Sequence, residues 1–276
     1  MAQPSNPFIR QLASSDRKSR TTALASLRTY LSVRRSRNNE LSPLDLQKLW
    51  KALFYCLWMQ DKPLHQQNLS RDLAGLVDIL PQARQRGGAE EAETGDNQDE
   101  NEAEEEAEED TLVVKWFDCF WLTISREWSA IDALRMDKFL YLVRCYLNTT
   151  FQQCSQSHWN PTTTRQLMFT LARGPLSPAN VKVPDGLRYH IIDIFVDELE
   201  KVDVKRECDV EVVLEPLRVL RSETRNKQAR KRAVEALRDE RLEEWGVVIQ
   251  KETNEKGEDG DRDAVMDDDE FGGFDD

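Results

Sequence analysis

An all-α protein of stacked antiparallel helix pairs, curved into a solenoid, is the fold class this sequence predicts. Three observations point there. Apolar residues recur at steps of three, four and one almost throughout. No stretch alternates with the period of two that a half-buried strand requires. Turn signals separate the apolar stripes: Asn160-Pro161, Gly174-Pro175, Ser177-Pro178 and Pro184-Asp185-Gly186. Roughly eight to ten helices of about 12–20 residues follow, and stacked pairs bury that many stripes more easily than one bundle does. No clean repeat consensus accompanies them, so the solenoid rests on helix number and pairing.

In chain order, Leu24, Leu27 and Leu31 mark the first stripe. Leu46, Leu49, Trp50, Leu53, Phe54, Leu57 and Trp58 form the clearest one. Its start is also written, with Ser42 as cap, Pro43 at the first helical position and Asp45 in the positive first turn. Its end is expected near Asp61, because Pro63 disfavours a helical Lys62. Leu69, Leu73, Leu76, Val77 and Leu80 come next. Then follow Leu112, Val113, Trp116, Phe117, Phe120, Trp121, Ile124 and Trp128. Phe139, Leu140, Val143 and Leu147 make another, as do Tyr189, Ile192, Phe195, Val196 and Leu199. Val210 to Leu220 is apolar at similar spacing, and Val234, Leu237 and Leu242 mark a last, polar-rich helix.

The 276 residues carry a formal net charge of −13, yet the acid is segregated. Residues 89–110 hold 13 acidic and no basic side chains, and 252–276 hold 12 acidic and 2 basic. Without them the body has 26 acids against 36 bases, about +10. Low complexity makes 87–110 an expected disordered loop within one helical domain spanning 1–251, and 252–276 an expected disordered tail. No apolar run is long enough to span a membrane, and the opening residues lack the apolar stretch of a signal peptide. Five scattered cysteines fit a reducing compartment and no disulfide framework.

Catalytic signatures are not evident. His65, His158 and His190 have no nucleophile context, and neither a phosphate loop nor zinc-ligand spacing occurs. Glu127, Asp132 and Asp137 are interleaved with Arg126, Arg135 and Lys138, a pattern of ion pairs at helix ends. No enzyme activity, cofactor, metal or small-molecule substrate is expected. The strongest basic cluster is Arg218, Arg221, Arg225, Lys227, Arg230, Lys231 and Arg232, opposed within it only by Glu223. Such a cluster suits nucleic-acid phosphates or a nuclear import signal. It is equally a solvated helix face, since Glu235, Asp239, Glu240, Glu243 and Glu244 follow at helical distance. Arg34, Arg35 and Arg37 form a second cluster, which also suits a helix C-terminus. The tryptophans on the stripes read as core, with only Trp128, beside Arg126, hinting at base stacking. The acidic insert can mimic nucleic acid and chaperone basic nuclear or ribosomal proteins, or simply solubilise. Phe271 and Phe274 in the tail can dock in a partner groove or belong to a mere end fragment.

Three blocks resemble the ribosomal RNA processing protein 1 family of nucleolar proteins. The first is Trp50-Lys51-Ala52-Leu53-Phe54-Tyr55-Cys56-Leu57-Trp58-Met59-Gln60-Asp61-Lys62-Pro63-Leu64. The second runs from Trp116-Phe117-Asp118-Cys119-Phe120-Trp121 through Arg126-Glu127-Trp128 and Asp132 to Lys138-Phe139. The third runs from Pro184-Asp185-Gly186-Leu187-Arg188 to Asp197-Glu198-Leu199-Glu200. The resemblance covers residues 6–245. It implies a HEAT-like α-α superhelix and a non-catalytic assembly factor in the nucleus and nucleolus, on early precursors of the large ribosomal subunit. It implies pre-rRNA of that subunit as a partner. Other assembly factors, including Brix-domain and WD-repeat proteins, and ribosomal proteins are implied as well. Asp61, Lys62, Arg126, Glu127, Asp132 and Lys138 are expected either to face a partner or to lock helix to helix as buried ion pairs.

Overall fold

The computed structural model describes residues 7–35, 41–80 and 111–248. Among them are α1 (Pro7–Leu12), α2 (Arg17–Arg35), α3 (Pro43–Trp58), α4 (Pro63–Ala74), α5 (Leu112–Glu127), α6 (Ala133–Gln156), α7 (Pro161–Arg173), α8 (Asp185–Val202), α9 (Val210–Glu223) and α10 (Lys227–Leu237). Short 3-10 turns follow α4, α5 and α10, and no strand occurs among the described residues. Helices two apart in the chain pack together. One layer runs α3, α5, α7, α9, the other α4, α6, α8, α10, and α1 leans on α2 and α3. That alternation is the all-α stack of helix pairs that the apolar stripes predict.

The stripes meet in one hydrophobic cluster extending from Leu12 to Leu242. Its centre is aromatic. The Tyr146 ring stacks on Phe120 at 3.6 Å, and Trp50 meets Trp116, Phe120 and Tyr146 edge-on at 4.9–5.2 Å. The Tyr146 hydroxyl donates to the Leu73 carbonyl at 2.9 Å and accepts from Trp116 Nε1 at 3.3 Å, so its one polar atom is satisfied. Trp50, Trp116, Trp121, Trp128 and Trp159 are all buried. Trp128 is 7% exposed, which removes the stacking surface its neighbour Arg126 suggests.

Helix boundaries differ from the sequence expectation for local reasons. Ser42 caps α3 as expected, its hydroxyl accepting from the Asp45 amide at 3.2 Å. The helix ends at Trp58 rather than near Asp61, because side chains from α2 and α6 take up its last carbonyls. The stripe from Leu69 to Leu80 breaks at Gly75 into α4 and a 3-10 turn. The last stripe breaks at Asp239, whose carboxylate caps the Glu240–Trp245 turn. No stripe announces α7, since its inner face mixes Leu167, Met168 and Leu171 with buried Thr164 and Thr170. It ends at Gly174, where an added Cβ would lie 2.6 Å from the Thr170 carbonyl and 3.3 Å from Trp121.

Candidate nucleic-acid interface

The basic cluster wraps the turn from α9 to α10. Thr224 is buried at the end of α9, and Asn226 caps α10, its side-chain oxygen accepting from the amides of Gln228 and Ala229 at 2.9 and 3.0 Å. The Asn226 amide nitrogen donates to the Tyr189 hydroxyl at 3.0 Å, fixing the turn against α8. Only Ala229 and Ala233 of α10 are buried, so its cations stand toward solvent.

The seven cations divide. Arg218 holds Glu211 through both guanidinium nitrogens, Arg232 pairs with Asp193 and lies over the Tyr189 ring at 5.0 Å, and Lys231 reaches Glu235 at 3.8 Å. Arg230 donates to the Thr224 carbonyl. Arg221, Arg225 and Lys227 are exposed and have no carboxylate partner among the described residues. Lys227 opens α10 and Arg225 precedes its cap, at a positive helix N-terminus whose first turn holds no acidic residue, while Arg221 lies in the last turn of α9. Arg225 also lines a cleft of about 860 Å³ between this turn and residues 178–185, together with Lys182 and Arg188. Arg188 is 5% exposed and donates to Asp185 at 2.8 Å and to the carbonyls of Ser177 and Asn180 at 3.1 and 3.2 Å. It shapes the cleft wall.

The second basic cluster is not brought alongside. Arg34 and Arg35 close α2, at the opposite end of the stack from α10, and Arg37 lies outside the described residues. The acidic insert 87–110 and the tail 252–276 also lie outside them.

The residues expected either at a partner face or in buried ion pairs divide between the α3–α4 turn, with the start of α6 beside it, and the end of α5. Asp61, Lys62 and Arg126 are exposed. Glu127 pairs with Arg126 at 2.9 Å and approaches Lys51 at 4.0 Å, while Asp132 caps α6 and pairs with Arg135. Arg135 also lies over Trp58 at 4.8 Å. Lys138 belongs inside the fold: 5% exposed, its ammonium donates to the carbonyls of Trp58 at 2.6 Å and Gln60 at 2.9 Å. Its neighbours are carbonyls at a helix C-terminus, so neither a partner face nor an ion pair describes it. Burial, then the nearby Arg135 charge, pushes its pKa down to about 8, so it still carries its proton at neutral pH. Arg20, 4% exposed, donates to the Met59 carbonyl at 3.0 Å and to those of Ser14 and Ser15 at 2.9 and 2.8 Å. Two buried cations thus satisfy the orphan carbonyls at the end of α3.

Several other titratable groups are engaged within the fold. Glu198, 3% exposed, accepts from Arg144 at 2.6 Å, Asn148 at 3.0 Å and Lys201 at 2.6 Å. Arg241 ties together Asp197, Glu200 and Asp239. Burial works against the Asp203 carboxylate, but hydrogen bonds from Trp245 and the amides of Cys208 and Glu207 hold its pKa below the usual value. Burial pushes the thiols of Cys56, Cys119 and Cys145 up to about 11, which leaves them protonated and unreactive. Among the described residues no group of three or more His, Cys, Asp or Glu side chains could hold a metal ion. No described helix is long and apolar enough to cross a membrane. Sequence reasoning missed Lys182 and the structural role of Arg188.

A family model described as "Nucleolar protein, Nop52" matches residues 3–271 of this chain. Ribosomal RNA processing protein 1 homolog B of Homo sapiens is 34% identical over 199 residues, covering 72% of this chain and 23% of that protein. Homolog A of Mus musculus is 34% identical over 200 residues, covering 72% of this chain and 35% of that protein. The Caenorhabditis elegans homolog is 25% identical over 209 residues, 76% of this chain and 45% of that protein. The chain therefore spans less than half the length of these relatives.

Proposed function

The chain belongs to the Nop52 family of nucleolar proteins, and from that premise we propose that it is a non-catalytic ribosome assembly factor. Its place is the nucleolus, on early precursors of the large subunit, where it supports pre-rRNA processing. The stacked helices act as a scaffold. One end, the α9–α10 turn, binds rRNA phosphates. The turn around Asp61 and Lys62, with Arg126 beside Glu127 and Asp132, faces other assembly factors, Brix-domain and WD-repeat proteins and ribosomal proteins among them.

The observation that carries the reading is the division of the basic cluster. Arg218, Lys231 and Arg232 are held by carboxylates of the fold, whereas Arg221, Arg225 and Lys227 are exposed from the end of α9 to the start of α10 with no carboxylate partner among the described residues. A charge that only solubilises needs no such grouping, while phosphate contacts need cations that are not already paired. A non-catalytic role is supported by the carboxylates themselves. Glu127 is held by Arg126, and Asp132 is spent on capping α6 and holding Arg135.

In-cell crosslinking with sequencing of the bound RNA tests this. Wild type is compared with a variant carrying Arg221→Gln, Arg225→Gln and Lys227→Gln, with an independent import signal on both. Loss of crosslinks to large-subunit precursor RNA is expected in the variant. Equal crosslinks would remove the turn from RNA binding. Equal crosslinks together with loss of nuclear entry when the added signal is omitted would make the cluster an import signal instead.

A further inference from the structure

A second groove adjoins the cleft of the basic turn and shares Asn180, Lys182 and Val183 with it. Pro43 and Gln47 of α3, a face of α5 and the end of α7 enclose about 730 Å³ with Asn180, Lys182 and Val183, within the range of ligand sites. Its floor is apolar: Trp121 and Cys119 are buried beneath, and Leu122 stands 50% exposed within it. Its edge carries Lys115, Arg126, Arg173 and Lys182; Asp118 accepts from Arg173 at 3.0 Å and Glu127 from Arg126 at 2.9 Å. An apolar floor inside a cationic edge suits an acidic segment that carries aromatic side chains.

This chain contains such a segment. Asp267-Asp268-Asp269-Glu270-Phe271-Gly272-Gly273-Phe274-Asp275-Asp276 has two phenylalanines, six acidic residues by position 276 and no cation. Phe271 lies 23 residues beyond Val248, a length that spans up to about 76 Å extended and on the order of 26 Å as a coil. Trp245 is held by Asp203 at the end of α8. The start of α8 adjoins the groove's Lys182 and Val183, about 27 Å away along that helix. The length suffices. The basic turn offers cations too, but its cleft also carries Asp185 and Glu223 and has no aromatic side chain in its lining.

We propose that the acidic tail docks in cis, with Phe271 and Phe274 over Leu122 of this groove and its carboxylates against Arg126 and Lys182. The groove is thereby an acidic-aromatic peptide site, filled by this segment of the chain until another such segment displaces it. Nothing in this depends on the RNA reading above.

The test places the photoreactive residue benzoylphenylalanine at position 274 of the full chain and maps the adducts by mass spectrometry. Equal parts of heavy- and light-isotope protein separate contacts within a chain from contacts between chains. Adducts within one chain, on residues 115–126 and 180–183, are expected. Leu122→Glu, with melting unchanged, should remove them, as should Asp267→Asn, Asp268→Asn and Asp269→Asn together. If Leu122→Glu lowers the melting temperature, Arg126→Glu with Lys182→Glu takes its place. Adducts on residues 218–232, adducts only between chains, or no adducts at all would overturn the proposal.

Discussion

Four charged side chains fall in register with apolar stripes, and all four are buried and bonded. Arg20 precedes Ala23 and Leu27, Lys138 precedes Leu142, Arg188 precedes Ile191 and Ile192, and Glu198 follows Phe195. A charge at such a position costs desolvation unless partners wait for it, so the register already signalled an internal role. What no sequence could supply was the partner, because Arg20 and Lys138 reach Met59 and Gln60 across the fold. Removing either leaves carbonyls of the α3 end unpaired. Lys138→Met is expected to cost about 1–3 kcal/mol in chemical denaturation, and Arg20→Ala a similar amount. The two act on one turn, so the double variant should lose less than the sum. His190 gives a pH test. Burial depresses its pKa below 6.5, outweighing its Leu140 contact and the nearby Asp193 and Glu198. The folded state therefore resists protonation more than the unfolded chain does. Stability is fully present above about pH 6.5 and falls as the pH drops below it. Melting temperatures taken from pH 8 to pH 5 should decline for wild type and decline less for His190→Gln.

At the scale of elements, the stripes located most helices, and the breaks came from chemistry that periodicity does not carry. Ser42-Pro43 marked the start of α3, yet its end was set by cations from α2 and α6. The helix α7 went unannounced because threonines interrupt its inner face, although Asn160-Pro161 and Gly174-Pro175 bracket it. Gly174 itself is required by close approach, so Gly174→Ala should cost about 1–3 kcal/mol in denaturant unfolding. The seven-residue basic cluster was legible as charge, but its division into paired and unpaired cations was not. That depends on Glu211 and Asp193, which lie in other turns of the chain. Accordingly, Arg218→Gln and Arg232→Gln should change RNA affinity less than Arg225→Gln and Lys227→Gln do. None of the four should shift stability by more than about 1 kcal/mol.

Across the whole molecule, the helix stack sets two basic regions at its two ends. It buries much of the blocks that carry the family resemblance, leaving Asp61, Lys62 and Arg126 exposed. The aromatic block around Trp50 and Trp116 is core, and the Asp197-Glu198-Leu199-Glu200 block is a network with Arg144, Arg206 and Arg241. Those residues hold the helices together, and the proposed contacts fall on exposed turns between them. The central claim, that Arg221, Arg225 and Lys227 neutralise phosphates, has a direct physical measure in the salt dependence of binding. The full chain is titrated with a fragment of large-subunit precursor RNA between low and physiological salt, as wild type and with all three residues changed to glutamine. The slope of log affinity against log salt should become shallower by about 3, one per cation removed, with the melting temperature unchanged. An unchanged slope and affinity would contradict the account.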